Sequence, residues 1–291
     1  MLMKKATILS AIVTLAAVFI TARASAQNYI FSVVPWGSEA EMKAMFEPLL
    51  DYIDLQTGET FDIVLYQSYD ELVREISLGR VHFACLNAIS YLKARRANAN
   101  IRYIATSIRD YEGKDSDHYL GYVITHKDSG IKDFSGLKNK VFAFVDQTSS
   151  SGYKMPVAYM REQGLEPKTF FKKYFYLGDH DEVAKAVKNR VVDGGATWET
   201  SYRINKKRYG DVYRIIHTTP PIPNDAWVVS NRLPKRISDK LKEVLLSLDR
   251  NATTPLGAPV LNPATGIPEV GFAERDPGFY EQAASVLLFK E

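Results

Sequence analysis

The sequence predicts an α/β protein folded as two lobes, each an open β-sheet with helices on its faces. Three observations carry that prediction. The chain has 291 residues, long for one hydrophobic core and comfortable for two. It matches itself without a gap at an offset of 111, from about residue 30 to residue 92. Within each copy, β-branched and aromatic runs alternate with stretches of helical period, the pattern of parallel strands joined through helices.

The first copy starts with a strand at 30–34 and reaches Ser38, with Glu41 three residues on, a capping-box spacing. The helix that follows is apolar at Met42, Met45, Phe46, Leu49, Leu50 and Ile53, one face at helical period. A strand at 61–66, a helix from Asp70 carrying Leu72, Val73 and Ile76, and a strand at 81–86 complete it. The second copy places strands at about 141–145, 173–177 and 192–196. In the repeat "IFSVVPWGS" falls on "VFAFVDQTS", "YDELVREI" on "HDEVAKAV", and "AISYL" on "ETSYR". Further on, 233–248 reads as a helix with Ile237, Leu241, Val244, Leu245 and Leu248 on one face. Residues 251–278 are rich in Pro and Gly and read as a wandering surface segment, and 279–288 as a short closing helix.

Residues 1–26 stand apart. Two lysines, a short apolar run from Ala6 to Ile20 and the small residues Ala24, Ser25 and Ala26 make a secretory signal peptide. The expectation is an exported, soluble, mature chain from about Gln27. Of the 37 Lys and Arg, Lys4, Lys5 and Arg23 lie in that segment, which leaves 34 against 34 Asp and Glu. A formally neutral protein has no electrostatic case for nucleic acid. Cys85 is the single cysteine, which excludes an intramolecular disulfide and a cysteine metal cluster. The five histidines show no i, i+4 pair, so no metal is expected either.

Open α/β sheets bind ligands beyond the carboxyl ends of their strands. Those ends carry Trp36 within 35–38, Ser68 and Tyr69, and Asn87 in the first copy. In the second they carry 146–151, Asp179 and His180, and 197–200 with Glu199 and Thr200. The repeat makes Tyr69 and His180 equivalent, each just before its helix. The segment "FVDQTSSSGYKMP" sets Thr148, Ser149, Ser150 and Ser151 at a strand-to-helix corner. One serine would suffice as a cap. Several hydroxyls at a helix start, where unpaired N–H groups and the positive dipole end lie, suit an oxyanion, with the Gly152 backbone as a further donor.

"DQTSSSGYKMP" resembles the D-x-x-S-[ST]-S-G-x-x-x-P signature of phosphonate, phosphite and phosphate binding proteins of ABC importers, the PhnD-like family. "SYDELVREISLGRVHFACLNAISY", "ITHKDSGIKDFSGLKNKVFAFVD", "GDHDEVAKAVKNRVVDGGA" and "PPIPNDAWVV" agree in order and spacing, and the resemblance covers about residues 29 to 250. It implies a type II periplasmic-binding-protein fold: two open mixed sheets, a hinge and an interlobe cleft. Lobe 1 would comprise 27–119 with 225–291, and lobe 2 residues 120–224. Position by position it implies ligand contacts from Tyr69, Tyr119, Ser149, Ser150, Ser151, His180 and Asp225. Trp36, Asn87, Gly152, Glu199 and Thr200 form a second tier. Where some members carry a carboxylate near Thr200, this chain has Trp198, Glu199 and Thr200, and Trp36 is placed to wall the pocket.

The expected function is periplasmic capture of a phosphorus oxyanion by a monomer serving the membrane permease of an ABC transporter, with no cofactor. The alternative is an oxyanion-sensing protein, for a phosphate- or arsenite-type ligand, that signals to a membrane sensor kinase. A Ser/His hydrolase using Ser150, His180 and Asp225 is the remote alternative. The G-x-S-x-G elbow is absent, so no catalytic residue is assigned. Asp225 needs a reason in an anion site: a ligand that brings an ammonium or a P–OH to it, or an Asx turn at the hinge.

Overall fold

The computed structural model describes residues 28–111, 113–261, 267–276, 278–281 and 284. The expected signal peptide at 1–26 lies outside the described residues. The chain begins β1 (Asn28–Val33), α1 (Glu39–Thr57), β2 (Thr60–Ile63), α2 (Tyr69–Ser77), β3 (Phe83–Leu86) and α3 (Ala88–Ala97). A long strand β4 (Arg102–Tyr111) and the short β5 (Lys114–Ser116) and β6 (His118–Tyr119) lead to β7 (Gly121–His126). Then come β8 (Val141–Phe144), a π-helical turn at Ser150–Lys154, α4 (Met155–Glu162), α5 (Pro167–Phe170) and β9 (Lys173–Tyr176). Helix α6 (His180–Lys188), β10 (Gly194–Trp198), α7 (Glu199–Tyr209) and β11 (Tyr213–Thr218) complete the second repeat. The tail comprises β12 (Ile222–Pro223), β13 (Ala226–Val229), α8 (Lys235–Ser247), β14 (Glu269–Ala273) and α9 (Gly278–Glu281).

The strands form two sheets with matching layouts. One runs β14-β4-β13-β3-β1-β2, with β5 on the flank of β4; the other runs β11-β7-β10-β8-β9. In each, three strands of one repeat pair in parallel, β2-β1-β3 and β9-β8-β10. A fourth strand then joins antiparallel, β13 beside β3 and β7 beside β10. These antiparallel strands are the ones the chain lays down just after passing between sheets. The passages themselves pair: β6 and β12 form a two-stranded antiparallel ribbon, Tyr119 opposite Ile222 and His118 opposite Pro223. The sheets are therefore mixed, which the alternation of strand and helix alone did not predict.

Local chemistry explains the helix starts. Ser38 accepts from the Glu41 amide and donates to its carboxylate at 2.6 Å, holding the first turn of α1. Ser68 and Asp179 cap α2 and α6 through the Glu71 and Glu182 amides. Helix α1 buries all six of its predicted apolar residues. They pack toward Phe31, Phe83 and Trp227, whose indole is fully buried and stacks on Phe31 at 5.6 Å. The second sheet packs on a smaller group around Phe142, Phe144 and Phe171.

The tail departs from expectation. Within the supposed surface segment, β14 pairs along β4 and buries Glu269 and Phe272. A glycine and an acid inside a five-residue strand hide the strand pattern. Of the closing helix, only α9 and residue 284 fall among the described residues. No helix among the described residues is long and apolar enough to cross a membrane.

Candidate functional site

Strands β1, β3, β8 and β10 point their carboxyl ends at the line where the sheets face each other, and a cavity lies there. Its walls are Val34, Trp36, Tyr69, Asn87, Arg109, Tyr119, Ser149, Ser151, His180, Trp198 and Asp225. Both repeats contribute, and the equivalence of Tyr69 and His180 is physical. Each is the first residue of its helix, directly after the capping side chain, and each is buried against the cavity.

The serine corner is built by its own turn. The Asp146 carboxylate accepts the Thr148 amide at 2.6 Å and its carbonyl accepts the Ser149 amide at 2.9 Å. Ser149 then caps the π-helical turn by accepting from the Gly152 amide at 3.0 Å. Ser149 and Ser151 line the cavity. Ser150 is fully buried and does not line it; among the described residues its hydroxyl makes no hydrogen bond of ordinary geometry, and its polar neighbour is the Tyr119 hydroxyl. Gly152 has a different job from the one expected. Its amide is engaged by Ser149, and a Cβ there would stand 2.5 Å from Val145 Cγ2, so the glycine lets the turn close on β8. At the hinge, a Cβ on Gly121 would meet Ser151 Cβ at 2.9 Å, so that glycine admits the corner between the sheets.

The aromatic donors are held neutral. Burial, then the charge of Asp146, pushes the Tyr69 hydroxyl well above its ordinary pKa, and Ser149 is its hydrogen-bonding neighbour. Burial, then Asp225, likewise raises Tyr119, whose hydroxyl neighbours Ser151 and then Ser150. Burial lowers His180 to about 3, and its Nδ1 lies 3.2 Å from Thr197 Oγ1. The site thus offers uncharged O–H and N–H groups to an anion.

The His180 shift carries a testable consequence. Its folded pKa lies below the ordinary 6.5, so between those values the unfolded chain binds a proton that the native one refuses. Stability is therefore lost as pH falls from about 6.5 toward about 3. Each pKa unit is worth about 1.4 kcal/mol. In His180→Gln this contribution vanishes, so the stability advantage of the wild type over the variant should shrink on acidification. Urea unfolding at stepped pH measures it, and an advantage that stays flat or grows would show that the ring is not buried neutral.

One site residue escaped sequence reasoning. Arg109, in the middle of β4, is buried, and its Nη2 donates to Asp225 Oδ2 at 2.5 Å and to Glu269 Oε1 at 2.9 Å. Burial works against this charge, but Asp225 and Glu269 keep the guanidinium firmly protonated. Its plane lies 4.9 Å from the Trp198 ring, a cation–π distance. Asp225 is therefore not a bare carboxylate: Arg109 pairs with its Oδ2. Nor does Asp225 cap a hinge turn. The neighbouring Asn224 braces the hinge instead, donating to the Ser107 and Ser116 carbonyls and accepting from Tyr111.

The remaining expectations separate. Asn87 lines the cavity while its oxygen caps α3 and its amide donates to the Thr148 carbonyl of the other sheet at 3.2 Å. Thr148 is also held by Lys93 and Asp70, at 2.7 and 2.8 Å, a polar bridge between the two halves. Glu199 faces a second cavity on the hinge side, with Tyr111, Leu120 and Pro221. Thr200 is buried beside it in α7 and does not line the cavity between the sheets. Cys85 lies behind Asp225, Sγ 3.8 Å from Oδ2, outside the cavity lining, and burial raises its thiol well above the usual range.

Ser150, His180 and Asp225 form no relay: none of the three hydrogen-bonds to another. Among the described residues no group of three His, Cys, Asp or Glu is placed to hold a metal ion.

The family profile of ABC transporter phosphonate periplasmic substrate-binding proteins matches residues 31–276. The phosphate-import protein PhnD of Mycolicibacterium smegmatis is 24% identical over 234 residues, 76% of this chain and 72% of that protein. The probable ABC transporter phosphite binding protein PhnD1 of Prochlorococcus marinus is 28% identical over 220 residues, covering 72% and 68%. The structure of PhnD1 in complex with methylphosphonate superposes with a TM-score of 0.77 at 19% identity, covering 89% of this chain and 96% of that one. The serine corner, the paired mixed sheets and a profile match over most of the sequence agree, and the chain belongs to the family of periplasmic substrate-binding proteins of phosphonate ABC transporters.

Proposed function

We propose that this protein captures a phosphorus oxyanion, a phosphonate, phosphite or phosphate, between its two lobes in the periplasm and hands it to the membrane permease of an importer. It acts as a monomer after loss of residues 1–26. The observation that carries the reading is the convergence of neutral donors from both repeats, Tyr69, Tyr119, Ser149, Ser151 and His180, on one buried cavity. Hydrogen bonds to a charged group contribute about 1.5–3 kcal/mol each, so four or five account for micromolar binding after association costs. Asp225 adds an acceptor. A P–OH satisfies it, whereas sulfate brings no proton and meets a like charge. The relatives point to the same chemistry: a phosphate-import protein, a probable phosphite binding protein and a complex with methylphosphonate.

Thermal-shift and calorimetric titration with methylphosphonate, phosphite, phosphate and sulfate test it. A ligand at about 100 times its dissociation constant adds roughly 2.7 kcal/mol of stability. At least one phosphorus oxyanion should do so and sulfate should not. Stabilisation by sulfate, sugars or amino acids alone would overturn the reading.

A further inference from the structure

A second, larger cavity adjoins the first. It holds about 1140 Å³ of non-protein space against about 300 Å³ for the oxyanion cavity, and Trp36 is the residue the two share. Trp36 follows β1, and its ring meets Trp198 edge to face at 5.6 Å. Trp198 comes from the other sheet and is itself fixed. Arg109 lies on its face and the Tyr119 ring stands perpendicular at 5.8 Å. The wall between the cavities is therefore a fixed indole and a half-buried one, Trp36, that closes against it.

Beyond that wall the groove runs between α1 and α7, with Met45 and Ile204 as its apolar lining. Its carboxylates are already engaged. Glu41 accepts from Ser38 at 2.6 Å and lies 3.9 Å from Arg208. Asp181 accepts from Ser201, Asn205 and Arg208. Lys207 adds a positive charge to the same lining. The groove has room for a carbon chain and no unengaged acid for an ammonium.

We propose that Trp36 is the specificity-determining residue of this site: it limits the substituent on phosphorus to about the size of a methyl group. The inference rests on the oxyanion reading above and deepens it. Phosphite, phosphate and methylphosphonate fit inside the wall. Longer alkylphosphonates and aminoalkylphosphonates require Trp36 to leave Trp198, which loses the aromatic contact and opens the site to water.

The test is calorimetry on wild type, Trp36→Phe and Trp36→Ala with phosphite and with methyl-, ethyl-, propyl- and 2-aminoethylphosphonate. In the wild type, affinity should fall tenfold or more from methyl- to propylphosphonate. Trp36→Ala should narrow that gap to threefold or less by gaining propylphosphonate, with Trp36→Phe between. Ligand-free melting temperatures measure what the Trp36–Trp198 contact contributes to stability and control for folding. Equal affinity for methyl- and propylphosphonate in the wild type, or a Trp36→Ala loss that is the same for every ligand, would overturn the size filter while leaving the oxyanion reading intact. A wild type that binds none of the series would overturn both.

Discussion

Replacing Arg109 by methionine is expected to cost about 3–5 kcal/mol of stability, the usual price of stripping one partner from a buried ionic group. Side-chain exposure is 2% for Arg109, 8% for Asp225 and 0% for Glu269. Among the described residues the guanidinium is thus the sole cation at hydrogen-bond distance from these two buried carboxylates. Ser107 donates to Glu269 at 3.0 Å and receives the Trp227 indole N–H at 2.8 Å, which ties this cluster to the centre of the first core. Glu269 Oε2 already has no partner in the protein, so nothing there compensates for the missing charge. Arg109→Met combined with Glu269→Leu should recover part of the loss, since replacing both partners costs less than orphaning one. Urea denaturation at pH 7 decides it: a loss under about 1 kcal/mol would show that the cluster carries little.

Arg109 also marks where sequence reasoning stops. The repeat, the caps and the apolar faces of α1, α2 and α6 depend on residues three or four apart, and such spacing is visible in a single sequence. Arg109 sits in "RYIATSIRDY", where it reads as one of three charges on a half-exposed strand. Its partners are 116 and 160 residues away. Glu269 is the one available signal, an acid in the otherwise apolar "EVGFA". The antiparallel strands β13 and β7 were hidden for a related reason. Each belongs to a sheet that the chain has left or is about to enter, and pairing across a passage leaves no local period. Trp36 and Trp198 could be seen as aromatic residues at strand ends, but their edge-to-face contact depends on how the two sheets face each other.

The serine corner shows the same limit within five residues, and it yields the largest expected effect on binding. Sequence alone treats Ser149, Ser150 and Ser151 as equals. The π-helical turn at Ser150–Lys154 sorts them, because a widened turn changes which side chains share a face. Ser151 lines the cavity next to the Tyr119 hydroxyl, with Gly121 leaving it room, whereas Ser150 is fully buried and is not part of the lining. Ser151→Ala should therefore weaken the tightest of methylphosphonate, phosphite and phosphate by about 1.5–3 kcal/mol, roughly 10- to 150-fold. Ser150→Ala removes a buried hydroxyl that meets the cavity only through its neighbour Tyr119, so affinity should stay within about threefold and stability should hold or rise slightly. Ser149→Ala should do both kinds of damage, losing a ligand donor and a cap worth about 1 kcal/mol. The Ser149→Ala, Ser151→Ala double variant should show no ligand-induced stabilisation at millimolar ligand. Calorimetry on the four proteins reads the pattern directly. Equal losses in Ser150→Ala and Ser151→Ala would mean that both hydroxyls reach the anion, and that the turn does not divide the corner between ligand and core.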